Sequence, residues 1–375
     1  MSILYFDHAA TTPVKDEVLQ EMLPYFTNNF GNPSSIYSIG RRSKKAVENA
    51  RTKVAKAIGC QEKEIYFTSC GSESDNLAVK GVAFANKNKG NHIITSKIEH
   101  PAILNTCKNL EENGFEVTYL NVDENGFIDL QELKNSIKPE TILISIMFAN
   151  NEIGTIQPIK EISKIAKDSE IIFHTDCVQA VGNVKIDVNE FGIDLLSMSA
   201  HKFYGPKGIG ALYVRNGIEF TRIQDGGHQE KNKRAGTENV AGIVGLGKAI
   251  EIADNNLENY NSKLLKLRNY FIREITSKYD NVKINGDLKQ RLPGNINISF
   301  PGIDAEELLL KLDNQGICAS AGSACSSGST QPSHVLTAIG LSEEYATGSL
   351  RITLGEENTI DDVKFLINCI EKILG

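Results

Sequence analysis

The sequence predicts an α/β protein built on a mostly parallel sheet, with a smaller α+β unit at its C-terminal end. Three observations lead there. Between about residues 60 and 215, short β-branched runs alternate with amphipathic, helix-like runs, the pattern of repeated βα units. After Gly247 the alternation gives way to a long polar helix-like stretch, two strand-like runs and a final amphipathic segment. At 375 residues the chain also exceeds what one core usually spans and suits two units sharing a continuous junction.

In chain order, the first element is a helix over 41–58, where Ala46, Ala50, Val54 and Ile58 recur at intervals of four and Gly59 follows as a terminator. Strands are expected at 65–68, 92–95, 142–148, 171–174, 195–198 and 210–214. Beyond them come a polar helix over 262–279, strands at 294–300 and 350–354, and a last helix over 360–374 with Val363, Ile367, Ile370 and Leu374 on one face. The division is expected near residue 255. It gives a large domain over 13–255 and a small one over 256–375, with residues 1–12 packing beside the small one.

Hydrophobic residues at 41% and charged residues at 23% mark an ordinary globular chain rather than a disordered or fibrous one. Forty Lys and Arg against 47 Asp and Glu give a net charge of -7 without a dense basic stripe, which argues against direct nucleic-acid binding. The start, MSILYFD, lacks the basic and apolar regions of a signal peptide, and the most apolar stretch, 240–253, is interrupted by Lys248 and Glu251. A cytoplasmic location without membrane association is expected. Seven cysteines with no Cys-x-x-Cys pair indicate neither a disulfide framework nor a metal site. Cys325 stands apart, because SAGSACSSGS at 320–329 has too little side-chain bulk to pack around it. An exposed, movable thiol is expected there.

The polar clusters of note fall just after expected strands, and in open α/β sheets ligands bind off the carboxyl ends of strands. These clusters should converge on one pocket. Asp176, after the strand at 171–174, reads either as the cap of a following helix or as the partner of a cationic heterocycle such as the pyridinium of pyridoxal phosphate. Lys202, in SMSAHKFYGPKGIG at 197–210, reads as a Schiff-base lysine, with Ser199 and His201 beside it for the cofactor phosphate. CGSES at 70–74 follows a strand and opens a helix, so Gly71 and Ser72 offer either a phosphate cradle or plain capping. His100 precedes Pro101 at a helix start, where an imidazole either stacks on a flat ring and moves protons or serves the fold. An Asn amide in NNEIG at 150–154 orients substrate or cofactor, or makes a turn. Arg351 reads equally as a carboxylate clamp and as an interdomain ion pair.

YFDHAATTP at 5–13, GNPSS at 31–35, EH at 99–100, NNEIG at 150–154, TDCVQA at 175–180, SAHK at 199–202 and RAGTEN at 234–239 together form a pattern spread over nearly the whole chain. It resembles the cysteine desulfurases of the NifS and IscS type, within the class V aminotransferase family of fold-type I pyridoxal-phosphate enzymes. The resemblance implies a seven-stranded sheet in the large domain and pyridoxal 5'-phosphate as cofactor. It implies that L-cysteine becomes L-alanine while its sulfur passes to Cys325 as a persulfide, and then to an acceptor for iron-sulfur cluster assembly or tRNA thiolation. Lys202 would hold the cofactor and remove the Cα proton, Asp176 would pair with the ring nitrogen and Gln179 would bond the phenolic oxygen. His100 would stack on the ring, and a proton acceptor such as His100 or the loop environment would help deprotonate Cys325. Gly71, Ser72, Ser199 and His201 would bind the phosphate, joined by Thr237 from the neighbouring subunit of an obligate homodimer. Asn151 and Arg351 would hold the substrate, Asn151 facing the cofactor as well. His8 stands where many members carry Asn, and the chain ends at Gly375, soon after the last expected helix, which leaves the acceptor open. The rival readings are a selenocysteine lyase or aminotransferase of the same fold, and a relay protein without turnover. Cys325 argues against an aminotransferase, and the intact Lys202, Asp176, His100 and Cys325 argue against a relay.

Overall fold

The computed structural model describes residues 3–321 and 332–375. In chain order the strands are β1 (Leu4–Tyr5), β2 (Ile65–Thr68), β3 (His92–Ser96), β4 (Glu116–Leu120), β5 (Thr141–Ser145), β6 (Ile172–Asp176), β7 (Leu195–Ser199), β8 (Gly210–Val214), β9 (Lys283–Ile284), β10 (Asn295–Ser299), β11 (Ile317–Cys318) and β12 (Ser349–Thr353). Seven form one sheet in the order β2-β8-β7-β6-β5-β3-β4. Its pairs are parallel, except that β8 runs antiparallel to both β2 and β7. Strands β3, β5, β7 and β8 are buried along their whole length. That is why β3 (HIITS) and β5 (TILIS) carry their Ile and Thr without a strict apolar–polar alternation.

Because β8 is reversed twice over, β2 points the same way as β3, β5, β6 and β7. The carboxyl ends of these five strands therefore open on one edge. Chain order reverses between β3 and β5, the type of switch point that leaves a crevice for a ligand. β4 was not expected from the sequence. It is the edge strand, only part buried, so its apolar signal is diluted. The strand expected at 142–148 ends at Ser145, although Ile146 and Phe148 still donate backbone bonds to the carbonyls of His174 and Asp176.

The expected helix over 41–58 starts slightly earlier, at Ser38–Ile58, and ends on Gly59 at φ 73°. Any side chain at Gly59 would be strained there and would strike Asp187. One 39-residue helix, Val240–Lys278, replaces the separate helix expected over 262–279. It runs straight through position 255. No Pro or Gly follows Gly247 within it, and its buried stripe continues through Leu257, Leu264, Leu267, Phe271 and Ile275. Gly247 itself marks a close helix crossing, because a Cβ there would sit 2.7 Å from the Cβ of Ala50.

Two principal apolar cores flank this helix. One gathers the sheet with Ile243, Leu246 and Ile250. The other gathers Phe6, Leu264, Phe271, Ile298, Leu350, Ile352 and the face of the last helix, Ile360–Leu374. The second includes the antiparallel sheet β12-β10-β9, and β1 pairs with β11 beside it. Among the described residues no helix is long and apolar enough to cross a membrane.

Candidate active site

A cavity of about 250 Å³ opens where the five strands end. Gly71, Ser72, His100, Asn151, Asp176, Gln179, Ser199, His201, Lys202 and Arg351 all line it. Thr237 does not; it is exposed in the stretch before Val240. Cys325 lies outside the described residues.

Asp176 closes β6 with its carboxyl almost sealed from water, and its Oδ1 accepts the Val178 N–H at 2.8 Å. Burial pushes its pKa up, while His100, the Val178 amide and Lys202 pull the other way. A buried carboxyl with so little compensation favours a cation arriving in the cavity. Lys202 follows β7 in a single 3-10 turn and donates to the carbonyls of Ala9 and, at 2.8 Å, Ala10. Gln179 Nε2 donates to the same Ala9 carbonyl at 3.0 Å. The HAA stretch at 8–10 thereby becomes one wall of the site. The turn after Lys202 is made partly by Tyr204, a non-glycine residue in the left-handed region at φ 64°.

His100 caps the helix Pro101–Glu112, its Nδ1 accepting the Ala102 N–H at 3.1 Å. In the neutral ring the proton therefore sits on Nε2. Burial pushes its pKa down. It meets the cavity as a proton donor, so accepting the Cys325 proton, as expected from the sequence, would first require release of the cap. Arg351, on β12, is 1% exposed. Its Nη2 pairs with Asp7 Oδ1 at 2.8 Å and its Nη1 donates to the Asn151 carbonyl at 3.3 Å, while Nε has no partner among the described residues. Both sequence readings meet here: the ion pair is made, and a donor is still left over.

The cavity can be tested for pyridoxal phosphate by its own orphaned groups. Ser199 Oγ is buried beside Gly71 without a hydrogen-bond partner among the described residues. A Cβ on Gly71 would strike Val178 Cγ2 at 2.6 Å, so the backbone there is kept bare. An anion at the start of the helix Gly71–Ala85 would satisfy Ser199 and meet free N–H groups. With Asp176 for a cation and Lys202 for an aldehyde, the residues fit the group.

Sequence reading missed Asp75, which lines the same cavity, and the buried His174 behind it. His174 bridges Ser145 Oγ at 2.8 Å and Ser197 Oγ at 3.0 Å, and its Nε2 lies 3.8 Å from Asp75 Oδ1. Burial pushes His174 down to about 3, so the imidazole is neutral and makes no charged pair. Asp75 is pushed well up by burial and by Asp176, and neither of its oxygens makes a well-formed hydrogen bond, although the nearby Ser197 hydroxyl favours its charged form. Its spacing of four from Gly71 was the available signal, since i and i+4 share a helix face.

Glu99 is fully buried and pushed up to about 8 by burial, against hydrogen bonds from Ser96 Oγ and Met147 N. Below its ordinary 4.5, folded and unfolded chains both hold the proton. Between 4.5 and about 8 only the fold holds it, so this group's stabilising contribution is lost as pH rises. Glu99→Gln keeps the neutral shape. Its thermal midpoint will gain on wild type progressively from pH 4.5 to pH 8, and a pH-independent gap would refute the assignment.

Residues 4–366 match the family described as aminotransferase class-V. The chain is 58% identical over 373 residues to cysteine desulfurase IscS of Clostridium botulinum, covering 99% of this chain and 94% of the relative. A solved NifS-like protein superposes with a TM-score of 0.94 at 39% identity, covering 99% of both chains. A structure described as SspA in complex with cysteine gives 0.84 at 40% identity, over 95% of this chain and 100% of that one. Family match, sequence identity and a shared fold agree with the lysine, buried carboxyl and guanidinium gathered at one sheet edge: the chain belongs to the class-V aminotransferases and, within them, to the cysteine desulfurases of the NifS and IscS type.

Proposed function

We propose that this protein takes sulfur from L-cysteine, releases L-alanine and carries the sulfur as a persulfide on Cys325. The observation that carries the reading is the convergence of Lys202, Asp176 and the incompletely paired Arg351 on one cavity, in a chain of this family. Pyridoxal 5'-phosphate, when bound, supplies an electron sink that makes the substrate Cα proton removable.

The chain's own residues do the rest. Gly71, Ser72, Ser199 and His201 would hold the phosphate, Asp176 would pair with the ring nitrogen, Gln179 would bond the phenolic oxygen, and His100 would stack on the ring. Arg351 takes the substrate carboxylate through its spare N–H, with Asn151 alongside. The Lys202 amine removes the Cα proton and later returns one. Cys325 Sγ, as thiolate, attacks the substrate sulfur: the new S–S bond forms as the Cβ–S bond breaks, and the carbon skeleton, reprotonated, leaves as alanine.

The same reading includes a homodimer in which Thr237 reaches the neighbouring subunit's phosphate. It is supported by Thr237 lying exposed outside its own cavity and by the exposed apolar side chains of Phe26, Phe30 and Ile36. We place the large domain at 13–255 and the small one at 256–375 with 1–12. The described cysteines are all free thiols, which suits a reducing cytoplasm. From there the persulfide passes to an acceptor protein for iron-sulfur assembly or tRNA thiolation.

Alanine formation from L-cysteine, with a thiol reductant, will be sustained by the cofactor-loaded wild type and abolished in Cys325→Ala. If neither forms alanine while both bind the cofactor, the desulfurase reading fails.

A further inference from the structure

The helix Gly71–Ala85 opens with Gly71 and Ser72 on the cavity, and its third residue is Glu73. An acidic side chain in the first turn suits the helix dipole, yet it is the wrong sign beside a site for a dianion. Its oxygens are fully engaged away from the cavity. Oε2 accepts the Ser69 N–H at 2.7 Å, and Arg234 forks onto both oxygens, Nε to Oε1 at 2.7 Å and Nη2 to Oε2 at 3.2 Å. Neither Glu73 nor Arg234 lines the cavity.

The stretch that brings Arg234 there is held with unusual firmness. Glu230, Lys231 and Asn232 are three successive left-handed residues at φ 41°, 58° and 64°, a strain that persists only where surroundings fix it. The Glu230 carboxylate is buried, forks onto Arg51 with both contacts at 2.9 Å, and accepts the Phe67 N–H at 2.9 Å. Arg51 in turn donates to the Ile65 carbonyl at 2.8 Å. Phe67 and Ile65 lie on β2, an edge of the large sheet, so the ion pair occupies the place of a neighbouring strand. Lys233 and Gly236 are tied in by further bonds, to the Phe220 carbonyl at 2.6 Å and to Gln229 Oε1 at 3.0 Å.

We propose that Arg234 is a positioning residue for the cofactor's phosphate: it neutralises Glu73 and turns it aside, so that the helix start can accept a doubly charged anion. The inference rests on reading Gly71, Ser72 and Ser199 as the phosphate cradle. It assigns Arg234 no contact with the phosphate. Its effect passes through Glu73.

The test compares pyridoxal 5'-phosphate with pyridoxal, which lacks the phosphate, binding to full-length chain freed of cofactor and followed by absorbance. Arg234→Gln will weaken the phosphorylated ligand on the order of tenfold and leave pyridoxal unchanged. Adding Glu73→Gln, whose amide oxygen still accepts the Ser69 N–H, will restore the phosphorylated ligand. Equal weakening of both ligands, or no rescue by Glu73→Gln, overturns the proposal. Should Arg234→Gln not fold, Arg234→Lys keeps the charge without the fork and will lie between wild type and loss; affinity equal to wild type for Glu73→Gln/Arg234→Lys alone supports the same conclusion, and its absence refutes it. The cradle itself is checked separately: if Ser72→Ala and Ser199→Ala leave the preference for the phosphorylated ligand intact, that underlying reading fails instead.

Discussion

Lys202→Ala will fold and bind pyridoxal phosphate weakly, and its alanine formation will fall by about four orders of magnitude, the upper range for loss of a positioned proton-transfer group. The fold survives because the amine sits on a cavity wall. Of the carbonyls it meets, that of Ala9 keeps its bond from Gln179. Thermal unfolding checks the first half, and single-turnover alanine release the second. Residual activity within tenfold of wild type would remove Lys202 from the chemistry. The same variant also interrogates the dimer. Thr237→Ala chains will be impaired at limiting cofactor. Mixed with Lys202→Ala chains and allowed to exchange subunits, they will yield hybrids with one intact site each, and activity will rise above that of either parent. A mixture that stays at the mean of its parents would mean that each site is built from one chain.

Glu230→Gln will cost about 3 kcal/mol of unfolding free energy, the low end for breaking a buried pair, because it leaves the nearly dry Arg51 guanidinium, packed on the Phe67 ring, with only the half-exposed Glu48 as charge partner. Urea titration of the cofactor-loaded protein measures it. The paired replacement Arg51→Met with Glu230→Leu will cost less than Glu230→Gln alone, since no charge is then left unpartnered. By contrast, Lys160→Gln, which breaks an exposed pair with Glu190, will leave the midpoint essentially unmoved. If Glu230→Gln behaves like Lys160→Gln, the strained stretch after it is not held by this pair.

The large-sheet strands were legible where burial is complete on both faces, as with β7 and β8, because such strands leave a continuous apolar signature. β4 was illegible for the opposite reason. At the site, Lys202, Asp176, His100 and Arg351 each followed or sat within an expected strand or helix start, and topology brought them together. What sequence could not supply was partnership. The pairing of Arg351 with Asp7, separated by 344 residues, and of Arg51 with Glu230, separated by 179, leaves no periodic trace. Nor does the His100 cap, which decides whether that imidazole gives or takes a proton. Glu99 entered only as part of a motif and Asp75 not at all, because whether a carboxyl is buried is decided by tertiary packing more than by its neighbours in sequence.

The helix Val240–Lys278 passes without interruption from one apolar core to the other. At 1.5 Å per residue it is a strut about 58 Å long. Lys202 lines a cleft against the helix at Ala249, Ile252, Ala253, Asn256 and Tyr260, and β12, which carries Arg351, belongs to the second core. Bending at the middle would break backbone hydrogen bonds in a stretch with no proline or late glycine to absorb it. The reach between the amine and the guanidinium is thus set like the gap of a caliper. Because Lys202 and Arg351 line one cavity, a molecule that engages both has to match a spacing that this unbroken helix keeps from drifting.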